Sequence, residues 1–275
     1  MAASRRIEKE EARARFILEA VSYRTPARWT ARRVALLVLL LLAAALALFW
    51  LTLPSAEPLR HKNPPSTALM EIRQKEAQKR GRAAKRNQHW VPLASISPWL
   101  RQAVVNSEDA RFFEHEGIDV EQTKIALTNA VEDGRFRRGA STITQQLAKN
   151  LWLGEQRTLW RKLREAILAR RLETLGKRRI LELYLNVAEW GDGIYGADAA
   201  ARVWFNKPAA ELLPEESAVL AAMLPAPRKR NPQRPSPVLR KRAHEVLALY
   251  SLYHELSPDE LDRARWRLDM MIGPP

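Results

Sequence analysis

The sequence predicts a mostly α-helical protein preceded by one bilayer-spanning helix, and three observations carry that prediction. Val34 to Leu51 (VALLVLLLLAAALALFWL) contains no polar residue, and Thr52-Leu53 extends the run to 53. At about 1.5 Å per residue, twenty residues reach about 30 Å, the hydrocarbon thickness of a bilayer. Residues 97 to 271 read as a succession of amphipathic segments with recognisable caps, and alternating strand patterns are scarce.

In chain order, 1–33 is a polar arm rich in arginine, and 34–53 is the apolar helix. The apolar run is longer than the core of a cleaved signal peptide, which favours a retained anchor. Five basic residues in the twenty before the run (Arg15, Arg24, Arg28, Arg32, Arg33) stand against three after it (Arg60, Lys62, Arg73), which places the N-terminus in the cytoplasm. Residues 54–65 are a Pro-rich spacer, and 66–88 read as a basic helix or mobile tether, either a solvated arm or a membrane-surface contact. From Trp90 the composition is globular, so 89–275 form the folded domain. Its candidate helices span about 97–115, 119–133, 141–152, 156–175, 177–188, 194–204, 214–224, 236–255 and 257–271. Ser97-Pro98, Pro214 and Ser257-Pro258-Asp259-Glu260 mark starts, the last as a capping box.

Lys+Arg 46 against Asp+Glu 31 gives a formal charge of +15. Such an excess points to phosphate-bearing partners, without deciding among nucleic acid, anionic lipid and a pyrophosphate substrate. The absence of cysteine excludes disulfides and thiolate metal sites.

Three stretches hold candidate chemistry. In SEDARFFEHEG (Ser107–Gly117), Glu108, Phe112 and His115 fall at i, i+4, i+7, so a helix running to 115 would set them on one face. A carboxylate beside an aromatic ring is partly desolvated, which raises its pKa toward the range useful for moving protons. In GASTITQQLAKN (Gly139–Asn150), Ser141 or Thr142 can cap a helix, with Gln145 and Gln146 placed to answer. Thr142, Gln146 and Lys149 share a polar face suited to a sugar-phosphate, or simply to a well-capped amphipathic helix. In RTLWRKLREAILARRLE (Arg157–Glu173), Glu165 follows Arg161 by four and Lys162 by three, and Trp160, Leu163 and Ile167 form the expected buried stripe. The Gly191–Gly196 loop reads as tight packing.

Taken together, E-D-x-x-F-x-x-H-x-G at Glu108–Gly117, G-x-S-T-I-T-Q-Q-x-x-K-N at Gly139–Asn150 and R-K-x-x-E at Arg161–Glu165 resemble the peptidoglycan glycosyltransferase family. So do Y-L-N-x-x-x-x-G at Tyr184–Gly191 and E-x-A-x-L-A at Glu216–Ala221. The five blocks occur in order over 90 to about 232. The likeness is nearest to the monofunctional biosynthetic transglycosylases, since the chain ends soon after the blocks and holds no S-x-x-K acylation motif. Trp204 stands where the family commonly has tyrosine, and Gly176 where a serine often precedes the lysine.

The resemblance implies a lysozyme-like helical head with a smaller jaw lobe near the membrane. It implies that Glu108 is the general base and that Lys149 and Arg157 hold the departing pyrophosphate. Glu165 becomes the second essential carboxylate, orienting the donor or helping to hold a divalent ion. Asp109, Phe112, His115, Ser141, Thr142, Gln146 and Asn150 would shape the cleft. The implied reaction joins lipid II units into glycan strands, with Mg²⁺ or Mn²⁺ shared with substrate phosphate and no organic cofactor. The implied partners are lipid II, the growing strand, the bilayer and cell-wall synthesis or division proteins, not nucleic acid. The implied location is the bacterial inner membrane, with the catalytic domain outside the cytoplasm. The rival reading is a lytic transglycosylase or lysozyme, helical and glutamate-based as well, which would cleave glycan and have no use for a phosphate site.

Overall fold

A computed structural model describes residues 13, 30–132, 141–154, 158–253 and 256–275. It divides into two units, Met1–Thr52 and Leu53–Pro275. In the first, helix α1 (Ala31–Leu51) has an apolar surface and no buried residue. Among the described residues it is the one helix long and apolar enough to cross a membrane.

The second unit is mostly helical, as expected. Its helices are α2 (Ala68–Lys79), α3 (Pro98–Glu108), α4 (Val120–Glu132), α5 (Ile143–Ala148) and α6 (Leu159–Leu172). They continue with α7 (Lys177–Val187), α8 (Ala197–Phe205), α9 (Pro214–Met223), α10 (Pro237–Leu252) and α11 (Pro258–Ile272). Every residue of α9 is buried, and it packs against α3, α10 and α11. Ala218, Ala221 and Ala222 keep it slim enough for three helices to close on it, burying apolar surface at roughly 25 cal/mol per Å². The charged groups on this central helix are paired. Glu215 meets Arg267 of α11, while Glu216 accepts the Leu213 N–H at 2.9 Å and lies 2.9 Å from Lys207 Nζ.

Scarce strand patterning does not mean no sheet. The Gly-rich loop near 191 is a hairpin of β2 (Glu189–Gly191) and β3 (Ile194–Tyr195), and β1 (Asn87–Gln88) pairs with β3 in parallel, giving the order β1-β3-β2. Strands of two or three residues are too short to show alternation. Asn186 supports this sheet. Its side chain exchanges hydrogen bonds with the Val91 backbone at 2.9 and 3.0 Å, while its carbonyl accepts from Gln88 Nε2 at 3.0 Å.

The 54–88 segment is not a free tether. Leu53, Ala56, Leu59, Leu69 and Met70 are buried, and Arg73 of α2 pairs with buried Glu189 at 3.0 Å. Arg171 donates to the carbonyl of Leu53 at 2.8 Å and Arg179 to that of Leu59 at 2.8 Å, so the proline-rich backbone is bonded to the domain at intervals.

Two helices differ from their sequence reading in ways that bear on the site. α3 stops at Glu108 instead of running to 115, because Asp109 leaves helical geometry (φ −163°, ψ 71°). Glu108, Phe112 and His115 therefore do not share a helical face. On α6, Trp160 and Leu163 are exposed, while Glu165, Leu168, Ala169 and Leu172 are buried. The packed face combines ion-paired Glu165 with Leu168, Ala169 and Leu172, and Trp160 and Leu163 lie outside it.

The loop after α3 folds back through Gly117, whose φ is +88° and whose carbonyl accepts the Thr142 hydroxyl at 2.6 Å. A Cβ there would lie 3.1 Å from the Ala169 backbone. Gly117→Ala is expected to cost about 2 kcal/mol, lowering Tm by roughly 4–8 °C for a domain of this size; an unchanged melting curve would refute the constraint.

Candidate active site

The site is built where the end of α3 meets the start of α5. Asp109, just past α3, is buried, and its carboxylate accepts the Ile143 N–H at 2.9 Å and lies 3.0 Å from His115 Nε2. Ile143 opens α5, so Asp109 supplies negative charge to an unpaired helix N-terminus. Burial raises the Asp109 pKa from the ordinary carboxylate value, with the Ile143 N–H and His115 opposing. Thr142 completes the junction through a capping box, its oxygen accepting from the Gln145 N–H at 3.1 Å and Gln145 Oε1 accepting from the Thr142 N–H at 3.1 Å. The Thr142 hydroxyl is thus committed to Gly117 and Gln145. Phe112 is fully buried beneath the Lys177 ammonium, 4.6 Å from the ring centroid, and anchors the loop without lining either neighbouring cavity.

With Asp109 turned inward, Glu108 is the last residue of its helix. Its carboxylate accepts from Gln146 Nε2 at 2.9 Å, and Gln146 Oε1 accepts from the Tyr184 hydroxyl at 2.9 Å. Tyr184 is fully buried, and burial, followed by the charges of Glu108 and Asp109, holds its hydroxyl well above the ordinary range, so it remains a donor. A donor on that side requires the amide oxygen, which leaves the NH₂ for Glu108. Burial raises the Glu108 pKa, while the Gln146 bond, Arg242, Arg230 and Lys149 in turn hold it back. Its position at a helix C-terminus, where the macrodipole is negative, acts in the same direction as burial.

Arg230 and Arg242 were missed in sequence, where they sat inside basic runs resembling a solvated face. In space Arg242 donates to the Ser107 carbonyl at 3.1 Å, satisfying the end of α3, and both arginines act on Glu108. Burial, then the neighbouring Arg242, lowers the Arg230 pKa, with Glu108 opposing.

Two cavities flank the Glu108–Gln146 pair. One of about 220 Å³ is lined by Asn106–Arg111 together with Ser141 and Thr142. The other, about 140 Å³, is lined by Gln146, Lys149, Asn150 and Tyr184, with Arg73 and Glu189 behind them. Lys149 stands at the end of α5, where the chain passes into a π-helical turn over Lys149–Leu153 closed by Gly154 at φ +71°. Lys149 itself keeps α-helical geometry (φ −59°, ψ −49°) and its N–H still bonds the Gln145 carbonyl, so the widening acts on the residues that follow it.

Glu165 sits apart in a cluster of its own. It is buried, with one oxygen bonded to Arg161 and the other to Lys162, whose ammonium also reaches Ser141 Oγ at 3.2 Å. Through Ser141 this cluster adjoins the cavity that holds Glu108. Both Glu165 oxygens are engaged by cations, and among the described residues no group of three acidic or histidine side chains could hold a metal ion. Arg157 lies outside the described residues. The structure therefore sets Glu108, bonded to Gln146, at the border of a groove that Gln146 lines with Lys149 and Asn150. Asp109, His115 and Thr142 form its support, and Ser141 links it to Glu165.

Of the two departures from the motif pattern, both are accommodated locally. Gly176 opens α7 at φ +81°, a conformation suited to glycine, and forgoes a side-chain cap. Trp204 donates to the Trp190 carbonyl at 3.2 Å and covers Gly191.

Comparison with known proteins gives a match to the family model described as Transglycosylase over residues 74–250. A biosynthetic peptidoglycan transglycosylase of Alcanivorax borkumensis is 46% identical over 222 residues, 80% of this chain and 87% of that protein. One from Nitrosomonas eutropha is 44% identical over 190 residues, 69% of this chain and 78% of that protein. Another from Rhodospirillum centenum is 46% identical over 211 residues, 76% and 84% of the two chains. With its helical head, its five ordered motifs and a match across more than half its length, the chain belongs to the transglycosylase family of glycosyl-transferring enzymes.

Proposed function

We propose that this enzyme polymerises glycan strands from lipid II, with Glu108 as the general base. The supporting observation is a half-buried carboxylate, raised in pKa and oriented by Gln146, next to a groove that carries Lys149. In this reading Glu108 takes the proton from the 4-hydroxyl of the acceptor N-acetylglucosamine as that oxygen attacks C1 of the donor muramoyl unit. The bond from C1 to phosphate breaks, and undecaprenyl pyrophosphate departs with the electron pair. Attack opposite the leaving group converts the α-linked donor into a β-1,4 linkage.

Lys149, with Arg157, meets the negative charge that develops on the leaving phosphate. Such preorganised charge is worth several kcal/mol in a site screened from water. Glu165 holds Arg161 and Lys162 in place, so we assign it to positioning the donor side. Any Mg²⁺ or Mn²⁺ that takes part would be held by the pyrophosphate oxygens, since the described donor set is not a protein cage. Helix α1 is compatible with a single-pass anchor. We assign the enzyme to the bacterial inner membrane with its N-terminus in the cytoplasm, where anchoring raises the effective concentration of a bilayer-borne substrate.

Labelled lipid II tests the reading, since a polymerase lengthens chains and a lytic enzyme shortens preformed strands. Glu108→Gln should lower polymerisation by roughly 10²–10⁴-fold without shifting the melting temperature; retained turnover would remove Glu108 from the chemistry. Lys149→Ala should reduce kcat/KM for the donor by roughly 10²–10³-fold, and normal turnover would end the phosphate assignment.

Tyr184→Phe frees the Gln146 amide to rotate. The bond that favours ionised Glu108 is then lost, and the carboxyl pKa rises further. Because the base works only when ionised, the acid limb of the pH–rate profile should move to higher pH, with a loss of roughly tenfold near the limb. A profile superimposable on the wild type would show that Tyr184 does not orient the amide.

A further inference from the structure

Beyond the groove lies a further cavity, of about 450 Å³, between α2, the segment that follows it and the β2–β3 turn. Arg73 lines both this cavity and the one holding Lys149, and Arg228 of this cavity follows Pro227 of the other, so the two abut. Its acidic residues are already engaged. Glu76 bonds Arg73 at 3.2 Å and Arg228 at 3.0 Å, and Asp192 lies 3.4 Å from Arg228. Arg80, Arg82 and Lys85 line the remaining wall, exposed and without an acidic partner among the described residues.

Basic residues at a helix C-terminus ordinarily serve the last carbonyls. Here those carbonyls are satisfied by backbone. Gly81, at φ +64°, donates to the Gln78 carbonyl at 3.0 Å and the Arg82 N–H donates to that of Ala77 at 3.0 Å. The pair forms a Schellman motif, which leaves the Arg80 and Arg82 side chains without a capping task. Lys85 is fixed as well. Gly193 packs so closely on it that a Cβ would lie 2.5 Å from Lys85 Cβ, and the Asn87 N–H donates to the Gly193 carbonyl at 2.7 Å. Three like charges are thus held on ordered backbone around one cavity, which opens beside the groove.

We propose that this cavity binds free carboxylates on the peptide branches of the glycan strand as it passes along the groove. The proposal rests on the polymerase reading above. Guanidinium groups suit carboxylates through paired N–H donors, and a branch on a polymer lying past Lys149 is the anion brought to this place by the reaction itself. A bilayer headgroup is the rival occupant.

The full-length triple variant Arg80→Gln/Arg82→Gln/Lys85→Gln tests it, since these exposed residues lie outside the catalytic groove and folding is checked by an unchanged Tm. Polymerisation is followed with lipid II and with lipid II whose peptide carboxylates are amidated. Wild type should prefer the carboxylate form by about tenfold in kcat/KM, mostly through KM, a difference equivalent to about 1.4 kcal/mol. The variant should show no preference and match wild type on the amidated substrate. Binding of the free acidic stem peptide, measured by anisotropy, should weaken by a similar factor and is independent of turnover. Peptide binding that persists in the variant, or an equal loss on both substrates, overturns the site. Unchanged preference with weakened sedimentation on phosphatidylglycerol vesicles assigns the cations to the bilayer instead and also overturns it. Failure of wild type to extend either substrate, with Glu108→Gln no different, counts against the polymerase reading, while the anisotropy result still decides whether the cavity takes carboxylates.

Discussion

The termination of α3 at Glu108 is the constraint on which the site depends. Two adjacent carboxylates there meet opposite fates. Asp109 turns inward to His115 and to the first N–H of α5, locking two helix ends together. Glu108, left as the last helical residue, points at Gln146. Had the helix continued one more turn, the Asp109 carboxylate could not reach Ile143 and α5 would lose its N-terminal anchor. One break in helical geometry therefore both assembles the scaffold and aims Glu108.

Electrostatics around Glu108 are a balance rather than a single effect. Burial and the helix C-terminus push its pKa up, while one amide and three cations oppose them. The role proposed for Glu108 needs this compromise, because a fully solvated carboxylate is too weak an acceptor and an uncompensated buried one stays protonated. The Tyr184–Gln146 arrangement also shows why fully buried polar residues recur on α7. Tyr184 sets an amide from beneath, and Asn186 two positions on ties the sheet segment to the same helix.

Much of this was legible in the chain, and the residues show why. Pro and hydroxyl caps placed the starts of α9 and α11 within one residue, because capping is local chemistry. The Thr142–Gln145 box was readable for the same reason. The true end of α3 was not, since the groups that draw Asp109 out of the helix lie 6 and 34 residues away. Arg230 and Arg242 were hidden because basic residues facing solvent and basic residues facing a carboxylate look alike in one dimension. On α6 the stripe through Trp160 and Leu163 was the wrong guide, because the packed face runs through ion-paired Glu165, Leu168 and Leu172 instead.

The bonding of residues 53–73 to the domain has a practical consequence for preparing a water-soluble form. A cut placed where globular composition begins, near Trp90, would delete α2 and leave Glu189 buried without its arginine, with Arg171 and Arg179 stripped of their carbonyl acceptors. The natural point of severance is just ahead of Leu53, where the apolar helix has ended and the first buried side chain of the enzymatic unit begins.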